Sequence, residues 1–367
     1  LGVKNYTSLL DIPDPVDLVI VAVPRAVAPK ILEDCIQKEV AAAHFFTAGF
    51  TETDTEEGIR LERLLTERAK QASFHLIGPN CMGIFNPELG IRQIDRQYVG
   101  FAGAVGLISQ SGTHATTFSR EGHLQGVDIN KSVSFGNGVV LDSADFLDYF
   151  GYDEGIKVIG MYLEGVKDGR RFLKVLREVS ARKPVVIWKG GQTEEGGRAI
   201  ASHTGALAVS QAIWDAAVRQ GGAVKVTCME EFIDTLKALL YLTPVRGNRV
   251  ALAGGSGGQS VAITDAFAKA GLEVPLLTQE SYDEFATFFS LIGGGCRNPI
   301  DTGNTNQQEL GRILEILERD AHIDNLVLMV QSDWHSLEEL EPELNLMVNM
   351  RKRTPKPMMA INPYFFS

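Results

Sequence analysis

The sequence predicts an α/β fold built from parallel β-sheets. Short apolar runs alternate with amphipathic stretches of helical spacing along almost the whole chain. The apolar runs are continuous rather than alternating, which is typical of strands that helices cover on both faces. Polar or glycine-rich turns follow several of these runs, at the edge where open α/β sheets bind their ligands. Ligand-binding residues are therefore expected at strand ends.

The predicted strands fall into three series along the chain. The first series has apolar runs at residues 16–24, 41–49 and 75–80, with amphipathic helices around residues 31–38 and 59–69. The second series follows a turn-rich connector at residues 86–90 and has strands near residues 105–109, 132–135, 158–163, 185–189 and 224–228. Its layout is flavodoxin-like.

A third series begins where the pattern is interrupted. A helix predicted around residues 232–241 is followed by a Pro- and Gly-containing stretch at residues 242–248. The apolar run at residues 250–255 then starts a new alternation of strands and helices, which ends in a last strand at residues 357–362. We therefore predict three domains, over residues 1–98, 99–244 and 245–367.

Composition and charge narrow the class of protein. The 367 residues have ordinary apolar content and 37 glycines, which predicts a soluble globular protein of two or three domains. The 35 basic and 46 acidic residues give a net charge of −11, which argues against nucleic acid and anionic membranes as partners. A polyanionic ligand would have to be held by local amide-rich turns.

Cysteine usage and hydropathy point to a reducing, aqueous compartment. The four cysteines are far apart and show no metal-type pairing, so neither a disulfide framework nor a metal site is predicted. No run approaches the length of a membrane span, and no targeting segment is visible. These features predict a cytoplasmic protein.

The most informative stretch is Ser202–Gly205, which contains a lone histidine, His203. A predicted buried strand at residues 183–188 precedes it, followed by a predicted solvated loop at residues 190–198. The downstream residues keep helical spacing, so a helix is expected to start at residues 204–206. The field and the unpaired N–H groups of a helix N-terminus favour a phosphorylated histidine there. A surface histidine near a helix start is the alternative interpretation.

Several motifs follow one another in an order that one enzyme family shares. They are Gly78–Gly83, Ser109–Thr113, Ser134–Gly138 with Asp142, Tyr162–Gly165, the segment from Lys189 to Ala208, and Asn298–Asp301. Each short motif alone is a weak signal, but the set extends over nearly the whole chain. The chain resembles the CoA-ligase (alpha-type) portion of NDP-forming acyl-CoA synthetases, the succinyl-CoA synthetase superfamily.

The resemblance implies a fold for each predicted domain. Residues 1–98 would form a Rossmann-like CoA-binding domain, and the two later domains would be flavodoxin-like parallel-sheet domains. Residue 1 corresponds to a point after the family's first strand, glycine turn and helix. The CoA-binding domain is therefore expected to be incomplete at its N-terminus and to bind CoA weakly.

The resemblance also implies an activity and its cofactors. The family interconverts acyl-CoA, phosphate and NDP with free acid, CoA and NTP through an acyl phosphate and a phosphohistidine. ADP/ATP or GDP/GTP would bind with Mg to an ATP-grasp region, either fused or a separate beta-type subunit. No sequence that would encode this region remains at the end of the chain. The expected partners are acyl-CoA, phosphate, the ATP-grasp part and further copies of the chain in an oligomer.

Two residues match the catalytic positions of the family. His203 corresponds to the phosphohistidine, and Glu164 ends the predicted strand at residues 158–163. A carboxylate that accepts the Nδ1–H of His203 would fix the tautomer and leave Nε2 free to attack phosphorus. The alternative is that Glu164 forms a surface ion pair with Lys167 or Arg170.

The predicted phosphate site is a turn between a strand and a helix. It consists of Ser109, Gln110, Ser111, Gly112 and Thr113. Backbone N–H groups at such a turn bind phosphate. The residues alone are equally consistent with an ordinary turn in which Ser111 caps the helix. With the resemblance, this helix N-terminus is expected to receive the phosphoryl group carried by His203.

Nine further residues are expected to contact CoA or the acyl group. They are Val23, Pro24, Ala48, Gly49, Asn80, Cys81, Gly136, Asn137 and Gly138. The Gly-Asn-Gly segment could also be a plain tight turn that uses positive φ angles. Cys81 could be a nucleophile, but no partner histidine is identifiable by sequence, so a buried structural thiol is favoured.

Two other functions are consistent with parts of the pattern. A CoA- or acyl-CoA-binding regulatory module, or an acetyltransferase-associated domain, could keep the fold without synthetase activity. Such a module would have no use for a phosphoryl acceptor. A nicotinamide-dependent dehydrogenase is suggested only by the α/β pattern, and the chain lacks a dinucleotide fingerprint.

Overall fold

The computed structural model describes residues 4–204, 210–255, 257–289, 295–302, 307–330 and 337–361. The chain divides into two compact units, residues 1–240 and 241–367. The predicted parallel α/β architecture is confirmed, because each of the three sheets within these residues consists mainly of parallel strands. The boundaries of the three predicted domains stay a prediction.

The first sheet lies at the start of the first unit. Its parallel strands are β1 (Leu18–Val21), β2 (Ala42–Phe45) and β3 (His75–Ile77), in spatial order β1-β2-β3. The crossovers contain α1 (Ala28–Gln37) and α2 (Glu56–Gln71). Thr55 caps α2 by accepting a hydrogen bond from the N–H of Gly58 at 3.1 Å. Two 3-10 helices, Leu9–Asp11 and Thr51–Thr53, complete this part.

The second sheet of the first unit has six strands in the order β4-β6-β5-β7-β8-β9. The strands are β4 (Gly83–Phe85), β5 (Val105–Ser109), β6 (Ile129–Ser134), β7 (Val158–Leu163), β8 (Val185–Lys189) and β9 (Val224–Val226). The five predicted strands are all present, and their pairs are parallel. The sequence did not indicate β4, which pairs antiparallel with β6. Three residues between turn signals carry too little periodicity to predict a strand.

Six helices accompany the second sheet. They are α3 (Gly112–Leu124), α4 (Ser143–Tyr152), α5 (Gly169–Ser180), α6 (Glu194–Thr204), α7 (Gln211–Gln220) and α8 (Met229–Tyr241). Side-chain caps set several of their starts. Asp142 begins α4 with a reciprocal capping box to Asp145, and Asp168 accepts two backbone N–H groups at the start of α5. Strands β5, β7 and β8 are almost fully buried between the helices.

The second unit contains a three-stranded parallel sheet in the order β10-β11-β12. Its strands are β10 (Val250–Gly254), β11 (Asn325–Met329) and β12 (Met358–Ile361). Its helices are α9 (Gly257–Lys269), α10 (Gln279–Phe285), α11 (Gln307–Arg319) and α12 (Leu337–Arg353). Asn298 braces this sheet, since its side chain accepts from the N–H of Leu252 at 3.0 Å and donates to the carbonyl of Val250 at 2.9 Å.

Candidate active site

A cavity of about 530 Å³ opens in the first unit, where strand ends of both of its sheets meet. Its walls come from residues 22–25 after β1, 46–48 after β2, 80–82 after β3, 110–113 after β5 and 136–137 after β6. The cavity therefore lies at the carboxyl ends of parallel strands, where open α/β sheets bind ligands.

The cavity brings together most of the residues that the sequence singled out. They are Val23, Pro24, Ala48, Asn80, Cys81, Gln110, Ser111, Gly112, Thr113, Gly136 and Asn137. Gly49 and Gly138 directly follow lining residues, and Ser109 is buried beneath the turn. Most of the predicted phosphate and CoA residues thus share one cavity.

The turn after β5 exposes a helix N-terminus to the cavity. Ser111 caps α3, with its Oγ accepting a hydrogen bond from the N–H of His114 at 3.3 Å. Ser109 braces the turn from below, since its hydroxyl donates to the Ser111 carbonyl at 2.6 Å. Gly112 and Thr113 line the cavity, and first-turn N–H groups have no partner within their helix. This turn has the chemistry of an anion site.

Glu164 is buried directly after β7, next to the turn at α3. The Oε1 atom of Gln110 accepts hydrogen bonds from the N–H of Glu164 at 2.8 Å and of Gly165 at 3.1 Å. Burial, and then the charge of Glu164, raise the pKa of the Tyr162 hydroxyl. The Glu164 backbone and the cavity wall are therefore held together by one glutamine side chain.

The alternative interpretation, a surface pair of Glu164 with Lys167 or Arg170, does not describe the surroundings of Glu164. Glu164 is only 8% exposed, whereas Lys167 and Arg170 are both exposed. The buried Lys189 donates to the Glu164 carbonyl at 2.7 Å, and the charge of Glu164 acts to raise the pKa of this ammonium group against the larger, opposite effect of burial. The interior position favours an orienting role over a solvated ion pair.

The predicted structure around His203 is wrong in one respect. Residues 194–204 form α6, so residues 194–198 are helical rather than loop, and His203 lies well after the start of a helix instead of in a first turn. The local signals were a Thr193 hydroxyl that accepts from the Gly196 N–H at 3.1 Å and two acidic residues in the first turn. The helix-dipole argument for a phosphohistidine therefore does not apply to His203 itself.

The remainder of that prediction lies outside the described residues. The His203 side chain and residues 205–209 are not described, and the next helix, α7, begins only at Gln211. The backbone of α6 packs against the 3-10 helix Thr51–Thr53. Among the described residues, the helix N-terminus that lines the cavity is that of α3.

The cavity floor is a network centred on Asn137. Its Nδ2 atom donates to Oε2 of Glu52 and to Oε2 of Glu62, each at 2.7 Å. Its backbone N–H donates to the Pro79 carbonyl at 3.0 Å, and Asn80 donates to its Oδ1 at 3.4 Å. The turn after β6 is thereby joined to the 3-10 helix Thr51–Thr53, to α2 and to the turn after β3.

The ionisation of Glu52 depends on this network. Burial acts to raise the pKa of Glu52, but hydrogen bonds from Asn137 and from the backbone of Gly49 and Phe50 outweigh it, so the pKa lies below its usual value. A carboxyl with a lowered folded-state pKa stabilises the fold above the unfolded pKa, and this contribution is lost as the pH falls through the folded value.

We expect Asn137→Ala to destabilise the protein by about 2 kcal/mol at pH 7, because two carboxylates lose a charge-assisted donor. The loss should shrink as the pH falls through the lowered folded-state pKa of Glu52, because a protonated carboxyl no longer needs that donor. Urea unfolding at several pH values measures this difference.

Asn130→Ala is the matched control for this prediction. Asn130 is also buried, but its Nδ2 donates to two backbone carbonyls, those of Gly103 at 2.9 Å and Gly155 at 3.4 Å, and its Oδ1 accepts from the Lys131 ammonium at 2.8 Å. Within the described part of the chain its side chain donates to no carboxylate, so its loss of stability should depend much less on pH than that of Asn137→Ala. The same pH dependence in both variants would refute the charge-assisted role of Asn137.

Cys81 has the properties of a structural thiol. It is 5% exposed and burial raises the pKa of its thiol to about 12. Its Sγ atom lies 3.5 Å from the Phe45 carbonyl, to which it donates. A thiol with so high a pKa is protonated at neutral pH and is a poor nucleophile.

Sequence reasoning missed several lining residues, of which Arg25 is the most informative. Its guanidinium donates to the Gly49 carbonyl at 2.7 Å and pairs with Glu57 at 3.2 Å. Arg25 therefore joins the ends of β1 and β2 and places a positive charge at the cavity wall. The available signal was its position directly after the predicted Val23-Pro24 strand end.

No group of three or more His, Cys, Asp or Glu side chains within the described ranges is arranged to hold a metal ion. None of the helices in that part of the chain is both long and apolar enough to cross a membrane.

Two family models match the sequence. A model described as a CoA binding domain matches residues 1–87, and one described as a succinyl-CoA ligase like flavodoxin domain matches residues 102–239. The first match contains the cavity residues after β1, β2 and β3. The second contains the turn at α3, Glu164 and His203.

The sequence is similar to subunits of ADP-forming ligases. The alpha subunit of acetate–CoA ligase (ADP-forming) II from Pyrococcus furiosus is 36% identical over 329 residues, which cover 89% of this chain and 71% of that subunit. Acetate–CoA ligase (ADP-forming) I from Archaeoglobus fulgidus is 37% identical over 325 residues, which cover 88% of this chain and 47% of that protein. The chain thus spans about half the length of the second relative.

A solved structure has the same fold over the whole chain. It is acetyl-coenzyme A synthetase 1 from Candidatus Korarchaeum cryptofilum in complex with phosphate and ADP. The TM-score is 0.85 at 29% sequence identity, and the match covers 99% of this chain and 78% of the other.

Proposed function

The chain belongs to the family of NDP-forming acyl-CoA synthetases, and from this premise we propose that it carries the CoA-ligase part of their reaction. Acyl-CoA, phosphate and NDP are interconverted with free acid, CoA and NTP. The observation that supports this proposal best is the composition of the cavity. One wall consists of strand ends of the CoA-binding domain, and the other is the amide-rich N-terminus of α3.

In the first proposed step, phosphate attacks the thioester. A phosphate oxygen forms a bond to the carbonyl carbon, the C–S bond breaks, and CoA leaves as a thiolate that takes up a proton. The N–H groups of Gly112 and Thr113 are positioned to bind the phosphate group, and Arg25 adds positive charge at the opposite wall. The product is an acyl phosphate held in the cavity.

In the second proposed step, His203 accepts the phosphoryl group. Nε2 attacks phosphorus, the bond from phosphorus to the carboxyl oxygen breaks, and the free acid leaves as a carboxylate. Glu164 accepts the Nδ1–H of the imidazole, which fixes the nucleophilic tautomer and stabilises the positive charge that develops on the ring. Covalent catalysis in this way divides one difficult step into two easier ones.

The phosphohistidine then transfers its phosphoryl group to NDP at a different site. The segment that contains α6 would carry His203 between the two sites. We assign the nucleotide site to an ATP-grasp region or a separate subunit, supported by the name of the Pyrococcus furiosus relative, which is an alpha subunit. Mg²⁺ bound there with the nucleotide would offset the charge of its phosphates.

The proposal is tested with labelled phosphate in the absence of nucleotide. The full-length protein is incubated with acetyl-CoA and [³²P]phosphate, and both the protein-bound label and the released CoA thiol are counted. The proposal expects label and thiol in equal amounts. Binding of acetyl-CoA without either product would instead indicate a regulatory module.

We expect Glu164→Gln to slow the labelling of His203 by about 100-fold without abolishing it, within the range typical of positioned acid–base groups. Glutamine keeps the shape of the side chain but cannot stabilise the imidazolium. Rapid-quench measurement of the single-turnover labelling rate gives the effect.

The control is Glu178→Gln, on the exposed face of α5. It removes the same charge far from the cavity, so this variant should acquire the phosphoryl label at the rate of the unsubstituted protein. If Glu164→Gln also labels at that rate, Glu164 has no orienting role.

A further inference from the structure

Lys189 is a buried lysine at the end of β8 that the proposed reaction does not use. Only 5% of the residue is exposed, and burial lowers the pKa of its ammonium group. Its Nζ atom donates to the carbonyl of Glu164 at 2.7 Å and to the carbonyl of Gly190 at 2.5 Å. The ammonium also lies 5.7 Å from the centre of the Trp214 ring.

These three partners belong to three different parts of the site. Gly190 is the first residue of the segment that leads through α6 to His203. Trp214 lies on α7, the helix that follows this segment. Glu164 begins the turn that follows β7. One ammonium group therefore contacts the entry and the exit of the His203 segment and the turn that carries the orienting carboxylate.

The chain passes unusually close to Glu164 at the entry of the segment. A Cβ atom on Gly190 would lie 2.5 Å from the Tyr162 hydroxyl and 3.3 Å from Cγ of Glu164. The backbone N–H of Gly190 donates to the carbonyl of Leu163 at 2.9 Å. A side chain at this position would therefore require the buried Tyr162 ring to move.

The cost of burying an ammonium group indicates that Lys189 positions its neighbours rather than adding to the free energy of unfolding. Removing an ammonium group from water is costly, and hydrogen bonds to carbonyl groups together with the Trp214 ring offset this cost only in part. An apolar side chain of similar volume often stabilises a protein core as well or better. A lysine, however, can hold two particular carbonyl groups at a fixed separation.

We propose that Lys189 is a positioning residue that fixes the base of segment 190–210 on the turn at Glu164. The inference rests on the proposed function, because the segment is important as the carrier of His203. Lys189 contacts neither the substrate nor the phosphoryl group. It determines where the segment starts and ends relative to Glu164, so that His203 reaches the carboxylate in one orientation.

The other end of the same strand offers a matched control. Lys183 precedes β8, and its Nζ atom donates to the carbonyl of Phe150 at 3.0 Å and to the carbonyl of Asp153. Burial lowers the pKa of its ammonium group as well. Lys183 thus makes the same kind of contact as Lys189, but with α4 and the residue after it instead of with the His203 segment.

The test compares Lys189→Met with Lys183→Met in the full-length protein. Both variants lose an ammonium group that binds two carbonyls, so both should have lower melting temperatures. Only Lys189→Met should slow single-turnover labelling by acetyl-CoA and phosphate, by at least 10-fold, with the KM for acetyl-CoA unchanged within 2-fold. Lys189→Arg should restore the rate to within 3-fold. Equal labelling rates in the two methionine variants would overturn the proposal.

Hydrogen exchange of the ligand-free protein tests the same inference without catalysis. In Lys189→Met, the amides of Glu164, Gly165 and Gly190 should exchange at least 10-fold faster, and in Lys183→Met they should not. If the unsubstituted protein takes up no label, the proposed function fails. Hydrogen exchange then remains as the test of whether Lys189 positions the turn at Glu164. If Lys189→Met does not fold, Lys189→Gln is compared with Lys183→Gln in both measurements. Unchanged exchange at these amides would overturn the proposal.

Discussion

Replacing His203 by asparagine is expected to abolish the phosphoryl label that the full-length protein acquires from acyl-CoA and phosphate. The amide nitrogen of asparagine has a delocalised lone pair and cannot attack phosphorus, whereas a neutral imidazole can. The label of the unsubstituted protein should be acid-labile and base-stable, as a phosphoramidate is. Asparagine introduces neither a glycine nor a proline into α6, so we expect the melting temperature to change little.

His114→Asn is the control, because His114 is the histidine nearest to the predicted phosphate turn. Its N–H donates to the Ser111 hydroxyl, and its ring packs 4.3 Å from the Tyr162 ring and 4.6 Å from the Trp188 ring. This variant should retain the label. Mass spectrometry of peptides kept at neutral pH locates the phosphoryl group. A label on His114, Ser109 or Ser111 would exclude the proposed mechanism.

The position of the cavity was predictable because it follows from local patterns. An apolar run followed by a polar turn predicts a strand end, and parallel strands place their carboxyl ends at one edge of a sheet. The positions of Gln110 and Asn80 at strand ends could therefore be predicted from local patterns, whereas their assignment to a phosphate turn and an acyl site depended on the family resemblance. The cap at Ser111 was predictable for the same reason, since a hydroxyl directly before a helical pattern is a local signal.

The contacts that hold the site together were not predictable in this way. Asn137 bonds to Glu52 and Glu62, which lie 85 and 75 positions away in the sequence. Both glutamates have the charge and spacing of ordinary helix-surface residues. Pairing over such separations depends on how the first and second sheets meet, which single-sequence patterns do not encode.

The start of α6 shows a different kind of failure. Gly190, Gly191, Gly196 and Gly197 favoured a loop over the whole stretch, because glycine lowers helix propensity. The Thr193 cap and an ion pair between Arg198 and Glu194 at 3.0 Å support the helix that forms instead. The cap and the ion pair therefore outweigh the low helix propensity of the glycines in this stretch.

Gly136→Ala is expected to lower the free energy of unfolding by about 3 kcal/mol or more, because it combines two penalties. The φ angle of Gly136 is +52°, in the left-handed region that alanine adopts only at a cost. A Cβ atom would also lie 2.1 Å from the Asn80 carbonyl oxygen and 2.4 Å from that of Pro79. Both are backbone atoms of the cavity wall, so neither can rotate away.

Gly126→Ala separates these two penalties. Gly126 has a φ angle of +78°, but its Cβ atom would meet nothing within 4 Å. This variant should therefore lose only about 1 kcal/mol, the cost of the backbone conformation. Urea unfolding measures both losses, and calorimetry with CoA should show at least 10-fold weaker binding for Gly136→Ala alone, since the displaced wall carries Asn80 and Asn137. Equal losses of stability in the two variants would mean that the wall yields to the added methyl group, and the tight approach of Gly136 to Asn80 would then have no energetic consequence.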